Sequence, residues 1–346
     1  MADVQKYFED FHEIIKLSDT EENQELREKR DIILNKLKEK KAADVPTYTQ
    51  FNQGSYAMGT GVKPINGEYD IDVGIRFDIS KDDFPDPVTV KKWAYDALNG
   101  HTKDVKMKSP CVTVTYQKDG EAEFHVDLAI YAAKNSDGKL YLAKGKLNSN
   151  DENKYWEVSD PLGVIDKIKN YSTDIEDRKQ FRRIIRYLKR WKDIKFPTGG
   201  YAAPCGIGLT VAAYKYLSPN KYYVFSSDKY KYDDLQALVD FVSSLINHFV
   251  TEYDHEEVKY VERLHINLFT EPYNDLFGKM TNKQMGSFKS KLEDLKTALI
   301  SVKTETDPHE ACKTLQSFFG DEFPVPPKDD TGQRKANAIL SSSTSA

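Results

Sequence analysis

The segment Gln53–Phe77 reads QGSYAMGTGVKPINGEYDIDVGIRF. Its alternation of apolar and polar residues continues over Tyr69–Ile79 and predicts a strand, with an apolar face made of Ile71, Val73, Ile75 and Phe77. Because residues two apart in a strand point the same way, Asp70 and Asp72 project together from the opposite face. Two like charges repel there, and burying them without a partner costs free energy. The sequence therefore indicates that a positive group, with a metal ion as the first candidate, belongs beside them.

A third carboxylate has the same arrangement on a later segment. Glu123–Ala132 predicts another strand, with Phe124, Val126, Leu128 and Ile130 on one face and His125, Asp127 and Ala129 on the other. If the two strands are neighbours, Asp127 joins Asp70 and Asp72. Three carboxylates suit Mg²⁺, which prefers oxygen ligands and keeps positions for substrate phosphates. Two such ions could activate an attacking hydroxyl and stabilise a leaving pyrophosphate.

The Gly-Ser turn before this strand supplies a complementary element. Gly54 allows the backbone to approach a ligand closely, and the Ser55 hydroxyl with nearby N–H groups can hold phosphate oxygens. The chain contains no GxxxxGK[ST] sequence, so this is not a P-loop. A Gly-Ser pair or an Asp-Ile-Asp alone is more often a plain turn or a solvated strand face. Their combination indicates nucleotidyl transfer, in which a hydroxyl attacks the α-phosphate of a nucleoside triphosphate.

Composition sets the broader class. A chain of 346 residues with 39% hydrophobic and 30% charged residues fits a globular protein of two domains, or of one large domain with a second lobe. The net charge of −5 gives no global field for duplex nucleic acid, although a local basic patch stays open. The three cysteines, Cys111, Cys205 and Cys312, are far apart and odd in number, which argues against a disulfide framework. We expect a cytoplasmic protein with no signal peptide and no stretch near the roughly 20 apolar residues of a membrane span.

The remaining periodicities predict an α+β fold, with a mixed-sheet lobe followed by an α-helical lobe. Predicted helices cover residues 4–17, 21–42, 91–98, 177–192, 206–216, 232–247 and 284–303, and further strands cover 47–52 and 112–116, the latter in a hairpin with 123–132. We expect three units: a core lobe with N-terminal helices at 1–160, a helical lobe that completes the nucleotide pocket at 161–322, and a flexible tail at 323–346.

The motifs GSYAMGT, YDIDVGI and FHVDLAIY resemble the nucleotidyltransferase core of the polymerase-β superfamily. The sequence is most similar to the cGAS/DncV-like nucleotidyltransferases (CD-NTases) of bacterial anti-phage systems. The resemblance implies a bilobed fold with the active site between the lobes. It also implies two Mg²⁺ ions (Mn²⁺ as an alternative), nucleoside triphosphates as both donor and acceptor, and a cyclic oligonucleotide product.

Residue roles follow from the same resemblance. The triphosphate would be held by Gln53, Gly54 and Ser55. Asp70 and Asp72 would bind both metal ions, and Asp127 would complete the second metal site and act as a base-like ligand of the attacking hydroxyl.

The segment FRRIIRYLKRW adds a candidate from the helical lobe. Its apolar stripe consists of Phe181, Ile184, Ile185, Leu188 and Trp191, and its basic stripe of Arg182, Arg186 and Lys189. The basic stripe is either a solvated face or a face that meets the triphosphate, and the resemblance favours Lys189 as a phosphate ligand. Cys205 stands where relatives have a small hydroxyl residue that contacts phosphate, so it is a candidate nucleotide contact, with packing as the alternative. Tyr201 is either a base-stacking residue or an ordinary core or surface residue.

The sequence therefore predicts a synthase of a cyclic di- or trinucleotide second messenger in anti-phage (CBASS) defence, using ATP and also GTP, UTP or CTP. The alternatives are a linear oligoadenylate-type synthase, a nucleotidyltransferase that tails RNA or modifies protein, and, in another class, an inactive RNA-binding module on the same fold. Many relatives sit beside ubiquitin-transfer-like enzymes, which implies a partner that joins Ala346 to another molecule; an inert end is the alternative. Neither duplex DNA nor a membrane is an expected partner.

Overall fold

One mixed sheet is built around the strand that carries the two carboxylates. The computed structural model describes residues 2–17, 21–65, 67–118, 121–196 and 202–328. The sheet has the order β1-β2-β5-β4-β3, and β6 extends from β5 to β7. Its strands are β1 (Tyr48–Gln53), β2 (Tyr69–Phe77), β3 (Asp104–Met107), β4 (Val112–Lys118), β5 (Glu121–Ala132), β6 (Leu140–Lys144) and β7 (Tyr155–Ser159).

The parallel pairing of β2 with β5 confirms that the two acidic strands are neighbours. In its register Asp72 lies opposite Asp127, and Asp70 lies opposite His125. The predicted apolar faces are buried, at 0–1% exposure, beneath two helices: α2 (Glu21–Lys40) and α4 (Pro87–Leu98). Because one face of each strand is fixed by this core, the register places all three carboxylates on the other face of the sheet.

The second lobe is mainly helical, as predicted, and the α+β class is confirmed. It contains α5 (Pro161–Lys169), α6 (Ile175–Lys195), α7 (Gly206–Tyr216), α8 (Asp234–Asn247), α9 (Asn282–Thr304) and α10 (Pro308–Phe319). It also contains two antiparallel hairpins that the sequence reading missed, formed by β8 (Lys221–Val224) with β9 (Lys229–Tyr232) and by β10 (Val250–Asp254) with β11 (Lys259–Arg263). Most side chains of these strands are exposed, and Val261 is the one buried hydrophobic residue among them, so the sequence shows no apolar alternation there.

The first helix, α1 (Gln5–Ile15), belongs to the helical lobe, which corrects its expected place in the unit 1–160. Phe8 and Phe11 are fully buried and pack against Tyr187 of α6, with ring centroids 5.2 and 5.7 Å apart. The Tyr187 hydroxyl donates to the Phe8 carbonyl at 2.7 Å. The amphipathic pattern showed that α1 buries one face but not which lobe covers it. The helical lobe therefore combines a segment that precedes the sheet lobe in the sequence with segments that follow it.

The expected start of the tail at residue 323 also needs correction. Phe323 is fully buried, and its ring packs against Phe8, Phe11 and Phe319 at centroid distances of 5.3, 5.0 and 5.9 Å. The His309 ring nitrogen Nδ1 lies 2.7 Å from the Pro326 carbonyl. We place the end of the folded helical lobe after residue 328, because apolar contacts and hydrogen bonds continue that far. The rest of the expected tail lies outside the described residues.

A buried ion pair sets the orientation of α6 against α8. Asp234, which is fully buried, accepts from Arg183 Nε at 2.6 Å and Nη2 at 2.8 Å. Gln180 donates to the same carboxylate at 3.0 Å, and the Tyr187 hydroxyl oxygen lies 3.1 Å from it. A buried charge with this many partners fixes one geometry, since loss of one partner of such a pair typically costs about 3–5 kcal/mol.

No helix in the described part of the chain is long and apolar enough to cross a membrane.

Candidate active site

A cavity of about 690 Å³ lies between the sheet and the helical lobe. Seven of the eight residues predicted from the sequence line it: Gln53, Gly54, Ser55, Asp70, Asp72, Asp127 and Lys189. The first six come from β1, β2, β5 and a short helix, α3 (Gly54–Met58), whereas Lys189 comes from α6. The fold thus brings residues more than a hundred positions apart to one pocket.

The three carboxylates repel one another in this pocket. Burial, followed by the charges of Asp127 and Asp70, raises the pKa of Asp72 to about 6. Burial is also the largest cause that raises the pKa of Asp70, and His125 and Lys108 act against it. Asp127 Oδ1 is buried and has no hydrogen-bond partner among the described residues. The site therefore carries negative charge that the protein itself does not compensate.

This donor set fits Mg²⁺ or Mn²⁺. Asp127 Oδ1 is an orphaned acceptor, and a bound cation would offset the burial and the like charges that raise the pKa of Asp72. Across residues 2–328, within the parts described, no three His, Cys, Asp or Glu side chains form a ready-made metal cage. The carboxylates are pocket neighbours, and Mg²⁺ usually takes only one or two protein carboxylates, with waters and substrate phosphates as its other ligands.

The predicted Gly-Ser turn is the start of a helix, which corrects the sequence reading. Gly54 is the first residue of α3 and has φ +65°. A Cβ added to Gly54 would lie 1.8 Å from Asp72 Oδ2. The approach is so close because Gln53, the preceding residue, pairs with Asp72 across β1 and β2. Glycine is therefore required at position 54 both by the backbone conformation and by the nearby Asp72 carboxylate.

The neighbours of Gly54 are held by hydrogen bonds on both sides. Gln53 Oε1 accepts from the Tyr131 hydroxyl at 3.0 Å. The carbonyl of Ser55 accepts from the Thr60 amide at 3.0 Å, which closes the loop after α3. Ser55 itself lines the cavity at the second position of α3. Ser55 therefore lines the cavity from a backbone that these hydrogen bonds hold in place.

The solvated-face alternative for Lys189 is wrong. Its residue exposure is 8%, and Nζ donates to the carbonyl of Thr60 at 3.1 Å and to Oγ1 of Thr60 at 3.3 Å. Burial, then the charges of Lys192 and Arg186, lowers its pKa to about 7, and Asp72 acts in the opposite direction. Binding of an anion next to Lys189 would therefore stabilise its charged ammonium form.

Two further cations of α6 bind the loop that follows α3. Arg186 donates to the carbonyls of Gly61 at 3.0 Å and Gly59 at 2.7 Å. Arg190 donates to the carbonyl of Lys63 at 2.9 Å. The basic side of α6 therefore faces backbone rather than water, and it ties the helical lobe to the loop next to Ser55.

The sequence reading missed Lys108, which lines the cavity and lowers the pKa of both Asp70 and Asp72 by its charge. Its backbone is fixed by Lys91, a fully buried lysine of α4. Lys91 Nζ donates to the carbonyls of Lys108, Ser109 and Gly145 at 2.5, 2.8 and 2.7 Å. Burial lowers the pKa of Lys91 to about 8. No periodic pattern marks Lys108, because it lies in the connection between β3 and β4.

Cys205 lies beside the cavity rather than in its lining. It is the N-cap residue of α7, and its thiol donates to the Leu276 carbonyl at 3.3 Å. The next two residues, Gly206 and Ile207, do line the cavity. Contact between Cys205 and a nucleotide stays a prediction. Tyr201 lies outside the described residues.

Comparisons with known proteins identify the same region. Residues 49–131, from β1 to β5, match the family described as "Cyclic GMP-AMP synthase DncV-like, nucleotidyltransferase domain". A cyclic GMP-AMP synthase of Escherichia albertii is 29% identical over 203 residues, which is 56% of this chain and 42% of that protein. The chain thus matches less than half the length of this curated relative.

Two solved structures share the fold over nearly the whole chain. Vibrio cholerae DncV, a cyclic AMP-GMP synthase solved with nonhydrolyzable GTP, gives a TM-score of 0.67 at 18% identity, over 93% of this chain and 96% of that one. CdnC of E. coli MS115-1, solved with ATP, gives a TM-score of 0.64 at 18% identity, over 92% of this chain and 98% of that one. The sheet and the helical lobe therefore have the arrangement seen in these two structures.

We expect Gly54→Ala to destabilise the protein more than a matched glycine substitution does. Gly100 also has positive φ, at +78°, but open space where a Cβ would lie. Each change lowers the free energy of unfolding by about 1–2 kcal/mol because alanine is strained at positive φ. Gly54→Ala lowers it by about 1–3 kcal/mol more because of the clash with Asp72. Urea unfolding of both variants measures the difference. Equal losses would show that the Asp72 carboxylate moves aside without cost.

We expect Asp72→Asn to raise the melting temperature in metal-free buffer well above pH 6. The folded-state pKa of about 6 exceeds the ordinary value of 3.8, so the folded protein takes up this proton before the unfolded chain does. The ionised carboxylate therefore destabilises the fold above pH 6, and this penalty is relieved as the pH falls towards 3.8.

The advantage of the Asp72→Asn variant should shrink over the same pH range. Scanning fluorimetry with a chelator measures it, and added Mg²⁺ should stabilise the wild type more than the variant. A variant no more stable than the wild type at the higher pH, or an advantage that grows on acidification, would contradict this account.

Proposed function

We propose that the chain is a cGAS/DncV-like, metal-dependent nucleotidyltransferase that makes a cyclic oligonucleotide. One observation supports this above all others. Asp70, Asp72 and Asp127 converge in a single cavity with the α3 backbone and the buried Lys189. Uncompensated carboxylates on one wall and poorly solvated cations on the other are what a metal-bound triphosphate requires.

The proposed reaction forms a bond between an attacking ribose hydroxyl oxygen and the α-phosphorus of a nucleoside triphosphate, and breaks the bond to pyrophosphate. Divalent ions bound by Asp70, Asp72 and Asp127 would lower the pKa of the hydroxyl and neutralise the leaving group. Asp127 Oδ1, which has no hydrogen-bond partner in the described part of the chain, accepts from the attacking hydroxyl. Ring closure repeats the step within the linear intermediate.

The lysines bind and orient the triphosphate. Lys108 and Lys189 line the cavity on opposite lobes, and Lys192 lines it one helical turn beyond Lys189. Since the pKa of Lys189 is about 7 without a ligand, binding of a triphosphate raises it and makes the ammonium group fully charged. Thr60, its present partner, then keeps the side chain aimed at the phosphates.

We propose ATP and GTP as substrates, with UTP and CTP as alternatives, because the two structural relatives were solved with ATP and with a GTP analogue. The biological setting would be anti-phage (CBASS) defence in the cytoplasm. The three free cysteines, of which Cys111 and Cys312 are buried, accord with a reducing compartment. The net charge of −5 supports activity without duplex DNA. Conjugation of Ala346 by a ubiquitin-transfer-like partner stays a proposal, since that residue lies outside the described part.

The decisive experiment incubates the protein with labelled nucleoside triphosphates and Mg²⁺ and then adds phosphatase. A cyclic product has no terminal phosphate and keeps its label, whereas a linear oligonucleotide loses its terminal phosphates. Asp70→Ala/Asp72→Ala should abolish product, and Asp82→Ala/Asp83→Ala, which removes two exposed acids from a turn, should not. Mass spectrometry of the product gives its bases and ring size. Only phosphatase-sensitive product, or turnover by the Asp70/Asp72 variant, would refute the proposal.

Lys189→Ala should weaken nucleotide binding by roughly 1.5–3 kcal/mol, the value of one hydrogen bond to a charged group. Lys179→Ala is the matched control, because Lys179 is an exposed lysine on the same helix, paired only at the surface with Glu176. Arg190 does not serve as a control, since it is 1% exposed and bonded to the Lys63 carbonyl. Calorimetry with a nonhydrolysable ATP analogue measures both variants. Equal effects of the two substitutions would remove Lys189 from the phosphate site.

A further inference from the structure

Two hairpins of the helical lobe repeat one structural motif. We call β8–β9, residues 221–232, the basic hairpin and β10–β11, residues 250–263, the acidic hairpin. Each contains a tyrosine, an aromatic ring two residues later, and a Lys-Tyr pair at the start of the second strand. These residues are Tyr223, Phe225, Lys229 and Tyr230 in the basic hairpin, and Tyr253, His255, Lys259 and Tyr260 in the acidic hairpin. The residue before each Lys-Tyr pair has positive φ, 53° at Asp228 and 52° at Val258.

The ring geometry of the two hairpins is the same. The cross-strand rings of Tyr223 and Tyr230 have centroids 5.3 Å apart at 68°, and those of Tyr253 and Tyr260 have the same values. The third ring lies edge-on in both, with Phe225 at 4.9 Å and 86°, and His255 at 5.1 Å and 82°. Two separate segments thus display the same aromatic surface.

These rings are exposed rather than part of the core. Phe225 is 89% exposed, Tyr260 is 75% exposed and Tyr230 is 60% exposed. Beside Tyr260, Val258 is 71% exposed and takes a backbone conformation that a β-branched residue rarely adopts. Clustered exposed aromatic side chains are typical of protein interfaces, where tyrosine and phenylalanine are enriched.

The charges of the two hairpins are opposite. The basic hairpin has three lysines and one acid, Asp228, whereas the acidic hairpin has five acids and two bases. Lys229 and Lys231 are exposed on the former, and Glu256 is exposed at the tip of the latter. The two aromatic surfaces therefore carry charges of opposite sign, which favours contact between them.

The two hairpins lie at opposite ends of α8. This helix has 14 residues and is therefore about 21 Å long. It keeps the hairpins apart within one chain, so the complementary surface must come from another molecule. We propose that the protein self-associates, with the basic hairpin of one copy bound to the acidic hairpin of a second copy.

Two-fold symmetry allows both contacts to form in one dimer. Each copy then offers its basic hairpin and receives the partner's basic hairpin on its acidic one, which closes the assembly. Each hairpin is small, so the dimer is weak, depends on protein concentration and loses affinity as salt screens the charges.

Charge exchange tests this arrangement. One variant carries Lys229→Glu/Lys231→Glu and the other carries Glu256→Lys/Glu257→Lys. Each alone brings like charges together at both contacts and should weaken self-association by at least about tenfold. An equal mixture of the two restores opposite charges at both contacts, so heterodimers should form. Sedimentation equilibrium at low and moderate salt measures all three samples.

A control variant, Lys103→Glu/Lys106→Glu, changes the net charge by the same amount as the first variant but on the sheet lobe, and should associate like the wild type. A wild type that stays monomeric up to its solubility limit in low salt would overturn the proposal and leave the hairpins to another partner. Self-association that survives both charge reversals, or a mixture that stays monomeric, would overturn it as well. Since mass is the readout, none of these outcomes depends on the proposed catalytic activity.

Discussion

The structure depends on the attachment of α6 to the loop that follows α3. Three buried or nearly buried cations, Arg186, Lys189 and Arg190, donate to backbone carbonyls of residues 59–63. Buried cations need acceptors, since a desolvated charge without hydrogen bonds is costly. Arg190 is also paired with Glu322, at 3.0 Å, whereas Arg186 and Lys189 join the lobes through neutral carbonyls that leave their positive charge in place. The same contacts that assemble the pocket therefore leave a positive potential on its helical wall.

The opposite wall of the cavity, formed by the sheet, carries negative charge. The parallel register of β2 and β5 places Asp72 against Asp127, and the buried core beneath them prevents the strands from slipping. Gly54 then brings the α3 backbone against Asp72. The carboxylates of this wall are only partly compensated, by Lys108, and on the helical wall Lys192 is paired with Asp193 whereas Lys189 donates to Thr60. The folded protein thus retains electrostatic strain on both sides of one cavity, and a metal-bound triphosphate is the kind of ligand that relieves both.

The sequence predicted the features that follow from periodicity. An alternation of period two placed Asp70, Asp72 and Asp127 on a common face, and the burial of the opposite face confirms it. What it could not predict depends on tertiary contacts. The charged residues of a helix suggest a solvated face, and the sequence does not show that a loop supplies backbone carbonyls to them, as it does at Arg186. Lys108 lies in an irregular connection, and only the sheet and the buried Lys91 bring it to the carboxylates. Val261 is the one buried hydrophobic residue in the described strands of the two hairpins, so no apolar alternation revealed them.

The contact of Phe8 and Phe11 with Phe323 has a consequence for synthesis on the ribosome. The sheet lobe is continuous in sequence, from α2 to β7, and its residues emerge together, so it can fold while translation continues. The helical lobe needs α1 from the beginning of the chain and Phe323 from near its end. Its core stays incomplete, and α1 waits with an exposed apolar face, until those last residues emerge. An unfinished chain therefore has the acidic wall of the pocket before the helical lobe that carries Lys189 can complete its core.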